Sequence, residues 1–212
     1  MAKGSVVRGL VCFLTVYWIV LGVAPYDRAD WALENFLTLT CGIALYLSRH
    51  HFPLSSTSYV LLFIFTMLHT LGAHYTYSNV PYERWGQELL GVSLDGLLGW
   101  ERNNFDRVIH FLWGLLLYKP LQEWMTMSAR LDGRWRDWYP LEFIMASSLV
   151  YELIEWAAAE VFGGELGVAY LGTQGDIWDA QKDMALATVG GVMAWGVQTL
   201  LRRRLGDAHS AH

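Results

Sequence analysis

Long stretches of this chain carry no Asp, Glu, Lys or Arg, and that pattern constrains the fold more than any other feature. Gly9–Tyr26, His50–Tyr82 and Met184–Leu201 are all free of formal charge. A helix needs roughly 20 mostly apolar residues to cross the hydrocarbon core of a bilayer. Backbone polar groups in that core must be satisfied internally, which a helix achieves within one segment. Of the 212 residues, 54% are hydrophobic and 17% charged, whereas a typical soluble domain is about a quarter charged. The expected fold is an all-α integral membrane protein, a single bundle of six transmembrane helices at about 6–24, 32–48, 56–75, 106–124, 141–162 and 183–201. Six such segments use most of the chain and leave no second domain.

Net charge is -5 and no basic tract suggests a nucleic-acid partner. Cys12 and Cys41 both fall in apolar runs, and two thiols are too few for a disulfide framework or a sulfur-ligated metal cluster. The first run follows Lys3 and Arg8, and Val23-Ala24-Pro25 is a poor cleavage site, so a retained signal-anchor helix is expected. Pro25, Pro53 and Pro140 are expected at helix starts or in loops, where a missing amide proton costs little. Trp31, Trp124, Trp135, Trp138 and Trp178 fall near the expected interfaces, where amphipathic rings prefer to sit. Ten basic residues, from Lys3 and Arg8 to the Arg202-Arg203-Arg204 triplet, lie on one side of this topology, and Arg28, Arg84, Arg102, Arg107 and Lys182 on the other. Because the Lys- and Arg-rich side stays cytoplasmic, both termini are expected inside. The longest connection, 76–105, then lies outside; its middle mixes charge with leucine and suggests a short interfacial helix, weakened by three glycines.

Against this apolar background nine ionisable residues stand out: His69, His74, Asp106, His110, Glu152, Glu155, Asp176, Asp179 and Asp183. An ionisable group in a membrane helix costs several kcal/mol unless it has a partner or a function. The alternation of helix directions sends all nine to the outer half of the bilayer. Asp106 and His110, four apart, share a helix face, as do Glu152 and Glu155, three apart. Asp176, Asp179 and Asp183 form one stripe only if the last helix starts early. His69 and His74 diverge by about 140° on an ideal helix, so one of the two is expected to point inward.

Imidazoles with carboxylates are a ligand set for divalent metals. On that reading His110, His69, His74, Asp179, Asp183 and Asp176 are candidate ligands for zinc or manganese. Asp106, Glu152 and Glu155 are the candidate acid–base groups around an activated water. The plainer alternative is a structural polar network in which Arg102, Arg107 and Lys182 pair with the acids and the helix-start aspartates act as caps. The turn Gly172-Thr173-Gln174-Gly175 before the last helix and the amides Asn103-Asn104 before the fourth are the most unusual connections. Gly190-Gly191 suits close helix packing.

The strings LHTLGAHYTY (68–77), RNNFDRVIHFLWG (102–114), YELIEW (151–156) and GTQGDIWDAQKDM (172–184) resemble the YjdF-like family of bacterial inner-membrane proteins. The resemblance implies a class and a location, a multi-pass protein of the inner membrane, and brings no activity with it. A looser similarity reaches the VanZ-like proteins, linked with glycopeptide-antibiotic tolerance. Asp106, Arg107, His110 and Phe111 fit the start of that pattern, Glu152 and Glu155 its acidic helix, and Asp183 with Gly190 and Gly191 its last helix. Trp156 and the Gly172–Gly175 turn depart from it.

These readings converge on a membrane-embedded enzyme with an outward-facing His/Asp/Glu pocket, acting on a lipid or lipid-linked envelope substrate. A transporter or ion-binding protein is the second reading, against which stands the lack of an inverted repeat. A non-catalytic partner of envelope enzymes is the third.

Overall fold

Six long helices carry the chain in the computed structural model, which describes residues 2–164, 167 and 171–210, with side chains for 4–164, 167 and 171–204. They are α1 (Ala2–Val23), α2 (Arg28–Ser48), α3 (Ser56–His74), α6 (Phe105–Ser128), α7 (Trp135–Phe162) and α8 (Asp179–Ser210), with two short helices, α4 (Tyr82–Leu90) and α5 (Leu94–Leu98), between α3 and α6. There is no strand among the described residues.

Local chemistry sets several of these ends. The Asp27 carboxylate accepts from the backbone N–H groups of Ala29 and Asp30, starting α2, and the Ser55 hydroxyl accepts from Ser58 N–H at the start of α3. Each cap satisfies amide protons that the first helical turn leaves without an intrahelical partner. Gly91 and Gly99, both at φ +67°, end α4 and α5 in the left-handed conformation that glycine adopts without strain. The interfacial segment is therefore two short helices rather than one. Two other ends differ from the hydropathy reading. α7 begins at Trp135, so Pro140 lies inside it rather than at its start, and α8 begins at Asp179, leaving Asp176 in the preceding turn.

The packing centres on α6, which contacts α3, α7 and α8, while α1 and α2 lean on α3. The α6–α8 pair is the tightest. A Cβ placed on Gly114 would sit 1.9 Å from the Ala187 carbonyl oxygen, and one on Gly190 would sit 2.1 Å from the Phe111 carbonyl oxygen. Only hydrogen fits at either place, so the two backbones touch. Tyr118, Leu141, Ile144, Ala187 and Ala194 fill the space among α6, α7 and α8.

Burial is inverted relative to a soluble protein. Asp30, Glu34, His69, His110, Glu152, Glu155, Asp179 and Asp183 are buried, whereas Phe13, Val16, Ile19 and Val20 on α1 are more than half exposed. Apolar side chains that face outward along helices of this length match a hydrocarbon surrounding rather than water. By length and composition α1, α3 and α8 (Gly4–Val23, Ser56–His74, Asp179–Arg204) can each cross a membrane, with mean hydropathy 2.1, 1.4 and 1.5. The other three long helices carry further charged side chains, some buried, such as Glu34 and Glu152, and some exposed, such as Glu142 and Glu160.

Opposite ends of the bundle hold separate polar groups. At the end where α3 and α8 respectively start and finish, Glu123 accepts from Ser55 N–H and Ser58 Oγ, and Asp137 accepts from Gln122 and Arg202. The candidate site lies at the other end.

Candidate metal centre

Asp106 and His110 enter from the first two turns of α6, Glu152 and Glu155 from the second half of α7, and Asp183 from the second turn of α8. His110 Nε2 stands 3.6 Å from Asp106 Oδ1 and 3.6 Å from Glu152 Oε1. These separations are too long for hydrogen bonds. They approach the spacing of roughly 3.3 Å between donors that share a tetrahedral ion at about 2.0–2.1 Å. One ligand atom each from Asp106, His110 and Asp183 all lie within 4.8 Å of one another. Glu152 Oε1 and Asp183 Oδ1 are buried without a hydrogen-bond partner. A buried carboxylate oxygen without a donor or cation is costly, so both atoms call for a proton or a cation.

Acids extend this cluster sideways. The Tyr151 hydroxyl donates to Glu34 Oε2 at 2.7 Å, and its ring meets the His110 imidazole edge-on at 5.8 Å between centroids. That pair ties α2 to the site. Asp30 lies one turn before Glu34, is 2% exposed and leaves Oδ2 unpartnered. Glu155 is buried within coulombic range of Asp106, Glu152, Glu34 and Asp183. Asp30 and Tyr151 were not singled out by the sequence, and Ser148, a buried serine one turn before Glu152 whose Oγ lacks a partner, reads there as a helix-packing residue. Asp30 lies before the expected second span, and the reach of Tyr151 to Glu34 spans 117 positions.

Asp176 and Asp179 belong to a different constellation. Arg102 donates to Asp179 Oδ1 at 2.8 Å and to the carbonyls of Thr173 and Gly172, and Arg107 donates to Asp179 Oδ1 at 2.8 Å and to Asp176. Lys182 also donates to Asp176. The Lys182 ammonium first, then Trp178 N–H and Arg107, hold the Asp176 carboxyl well below its usual value. Gln174 and Asn103 exchange side-chain and backbone hydrogen bonds across the same junction. This clamp fastens the connection before α6 to the connection before α8, so the structural alternative describes these two aspartates well.

The remaining histidines are also placed elsewhere. His69 has both ring nitrogens engaged, Nδ1 with the Tyr77 hydroxyl and Nε2 with Thr38 Oγ1 at 2.6 Å, and it joins α2, α3 and the turn after α3. His74 Nδ1 lies 2.7 Å from the Leu21 carbonyl oxygen and faces α1. Neither imidazole reaches the Asp106–His110–Asp183 group. The residues that converge are thus Asp106, His110, Glu152 and Asp183, with Glu155 and Glu34 beside them.

A bundle that turns apolar side chains outward and gathers buried acids around one imidazole defines an all-α membrane protein. The chain belongs to the family described as Predicted membrane protein (DUF2238), which matches residues 6–204. It is 33% identical over 178 residues to the inner membrane protein YjdF of Escherichia coli (strain K12), across 84% of this chain and 81% of that one. These matches show the family and not the looser VanZ-like similarity. No solved structure matches the chain.

Proposed function

We propose that this protein is a six-span enzyme of the bacterial inner membrane, a single domain with both termini in the cytoplasm. In this reading it uses a divalent metal, zinc or manganese, to hydrolyse or transfer a group of a lipid or lipid-linked envelope substrate. The observation that carries it is an unbalanced charge. Asp30, Glu34, Asp106, Glu152, Glu155 and Asp183 are gathered at one end of the bundle, and among the described residues none has a Lys or Arg partner within ion-pair distance. The nearby arginines are already committed to Asp176 and Asp179. Uncompensated, such a set costs on the order of several kcal/mol per ion, and a divalent cation on the imidazole side offsets part of it.

The roles follow from position. Asp106, His110 and Asp183 would hold the metal, which would supply the Lewis acidity that makes a water acidic. Glu152, with its unpartnered oxygen facing His110, takes a proton from that water. The hydroxide would then add to phosphorus or to the carbonyl carbon of the substrate ester, the ester bond would break, and Glu152 would return its proton to the departing alkoxide.

Elemental analysis of protein purified without chelator tests this reading, with about one metal per chain expected. Asp106→Asn, His110→Ala and Asp183→Asn each lose the metal while the bundle stays monodisperse; Glu152→Gln keeps it and loses turnover. Metal-free wild-type protein would assign the cluster to structure and remove the hydrolase reading.

A further inference from the structure

A groove of about 530 Å³ opens beside the clamp, between the connection that follows α5 and the first turns of α6 and α8. Its size falls in the range of about 300–1,000 Å³ usual for small-molecule sites. It shares α6 with the acidic cluster, but Asp106, His110, Glu152 and Asp183 do not line it.

The lining is sorted by depth. At the end of the bundle stand Arg102, Arg107 and Lys182, opposed within the lining by Glu101 and Asp176. One helical turn further in stand Phe111 on α6 and Leu186 on α8, with Val108 next to Arg107. Arg107 with Phe111, and Lys182 with Leu186, are each four residues apart, so both helices present a cation above an apolar side chain on one face. Arg102 is saturated by Asp179 and two carbonyls. Arg107 Nε, in contrast, is buried with no partner, and the Lys182 side chain is 47% exposed with Asp176 as its single ion pair. The N-termini of α6 and α8 both meet the groove, so two helix dipoles add to the positive potential there, with Asn103 Oδ1 taking the Phe105 N–H.

We infer that this groove binds an anionic glycerophospholipid, its phosphate against the exposed Lys182 Nζ with the Arg107 guanidinium behind it, and an acyl chain along Val108, Phe111 and Leu186. Charge and shape select the occupant together. Free phosphate needs no apolar wall one turn below the cations, and a zwitterionic headgroup brings its own cation against Arg107 and Lys182. The inference rests on α6 and α8 crossing the membrane and not on the metal, and its test reads lipid occupancy rather than metal content or turnover.

Native mass spectrometry of the delipidated protein in detergent provides that test, with phosphatidylglycerol, phosphatidylcholine and inorganic phosphate as probes. The first phosphatidylglycerol should bind about tenfold more tightly than the first phosphatidylcholine, given the gain per basic residue near an anionic lipid. Lys182→Met should remove most of that preference. Leu186→Trp, which fills the apolar end, should weaken the first phosphatidylglycerol by a similar factor; Val108→Trp serves as the second filling variant if Leu186→Trp does not fold. Equal affinity for the two lipids, or variants that bind as the wild type does, would overturn the inference. Displacement of phosphatidylglycerol by millimolar inorganic phosphate would also overturn it, by making the groove a free-phosphate site.

Discussion

His69 and His110 are both buried imidazoles on neighbouring helices, and their surroundings give them opposite roles. His69 has a hydroxyl on each ring nitrogen and nothing left to offer a metal. His69→Phe should therefore lower stability by about 1–3 kcal/mol, because the Tyr77 and Thr38 hydroxyls lose their shared partner, and leave metal content unchanged. Melting followed by circular dichroism, with elemental analysis on the same sample, checks both halves; metal loss in that variant would put His69 back among the ligands. Asp179 is a second case. Its side chain is 4% exposed and serves Arg102 and Arg107 together, so Asp179→Ala takes the one carboxylate from Arg102 and leaves Arg107 with Asp176 alone, and should cost about 3 kcal/mol. A melting temperature within a degree or two of wild type would show that the clamp is dispensable. The sequence showed that acids and imidazoles collect at one end, since helix direction and hydropathy fix depth. It did not show which acid meets which base. Asp179 and Asp183 lie one turn apart on one helix, yet one faces arginines and the other faces His110. The two share a face, so only one turn of depth, the height of α8 against α6, separates them.

That height is set at the level of helices by Gly114 and Gly190. Gly190→Val puts a branched side chain where the Phe111 carbonyl already lies, and Gly114→Val does the same against Ala187. Either forces α6 and α8 apart and should cost about 3 kcal/mol or more, beyond ordinary overpacking because the obstruction is backbone. Gly196, on the same helix, has nothing within 4 Å of an added Cβ, and Gly196→Ala should be neutral or slightly stabilising. Thermal unfolding of the three variants side by side makes the comparison; equal melting would mean that the two helices do not pack this closely. The glycine pair was visible in the sequence as a packing site, but its partner Gly114 was not, because nothing local links positions so far apart. Helix ends were similarly half visible. Trp135–Pro140 carries charge, so hydropathy starts α7 six residues late, although an interfacial turn tolerates those side chains.

Across the whole molecule the account needs the acidic end to face outward. In a background with Cys12 and Cys41 replaced, single cysteines at Glu101 and Ile177, both exposed at the cluster end, should react with a membrane-impermeant thiol reagent in intact cells. One at Asp132, exposed between α6 and α7, should not. These positions are preferable to Gly133 or Gly164, whose positive φ values disfavour any side chain. The reverse labelling pattern would turn the site toward the cytoplasm and remove an envelope substrate from its reach. The central claim is narrower than topology, namely that one ion sits among Asp106, His110 and Asp183. X-ray absorption at the edge of the metal found by elemental analysis tests it most directly. The account predicts one imidazole nitrogen with the remaining donors oxygen, no sulfur, and loss of the nitrogen signature in His110→Ala but not in His69→Phe. A site with two or more imidazoles or any thiolate, or no bound metal at all, would contradict it.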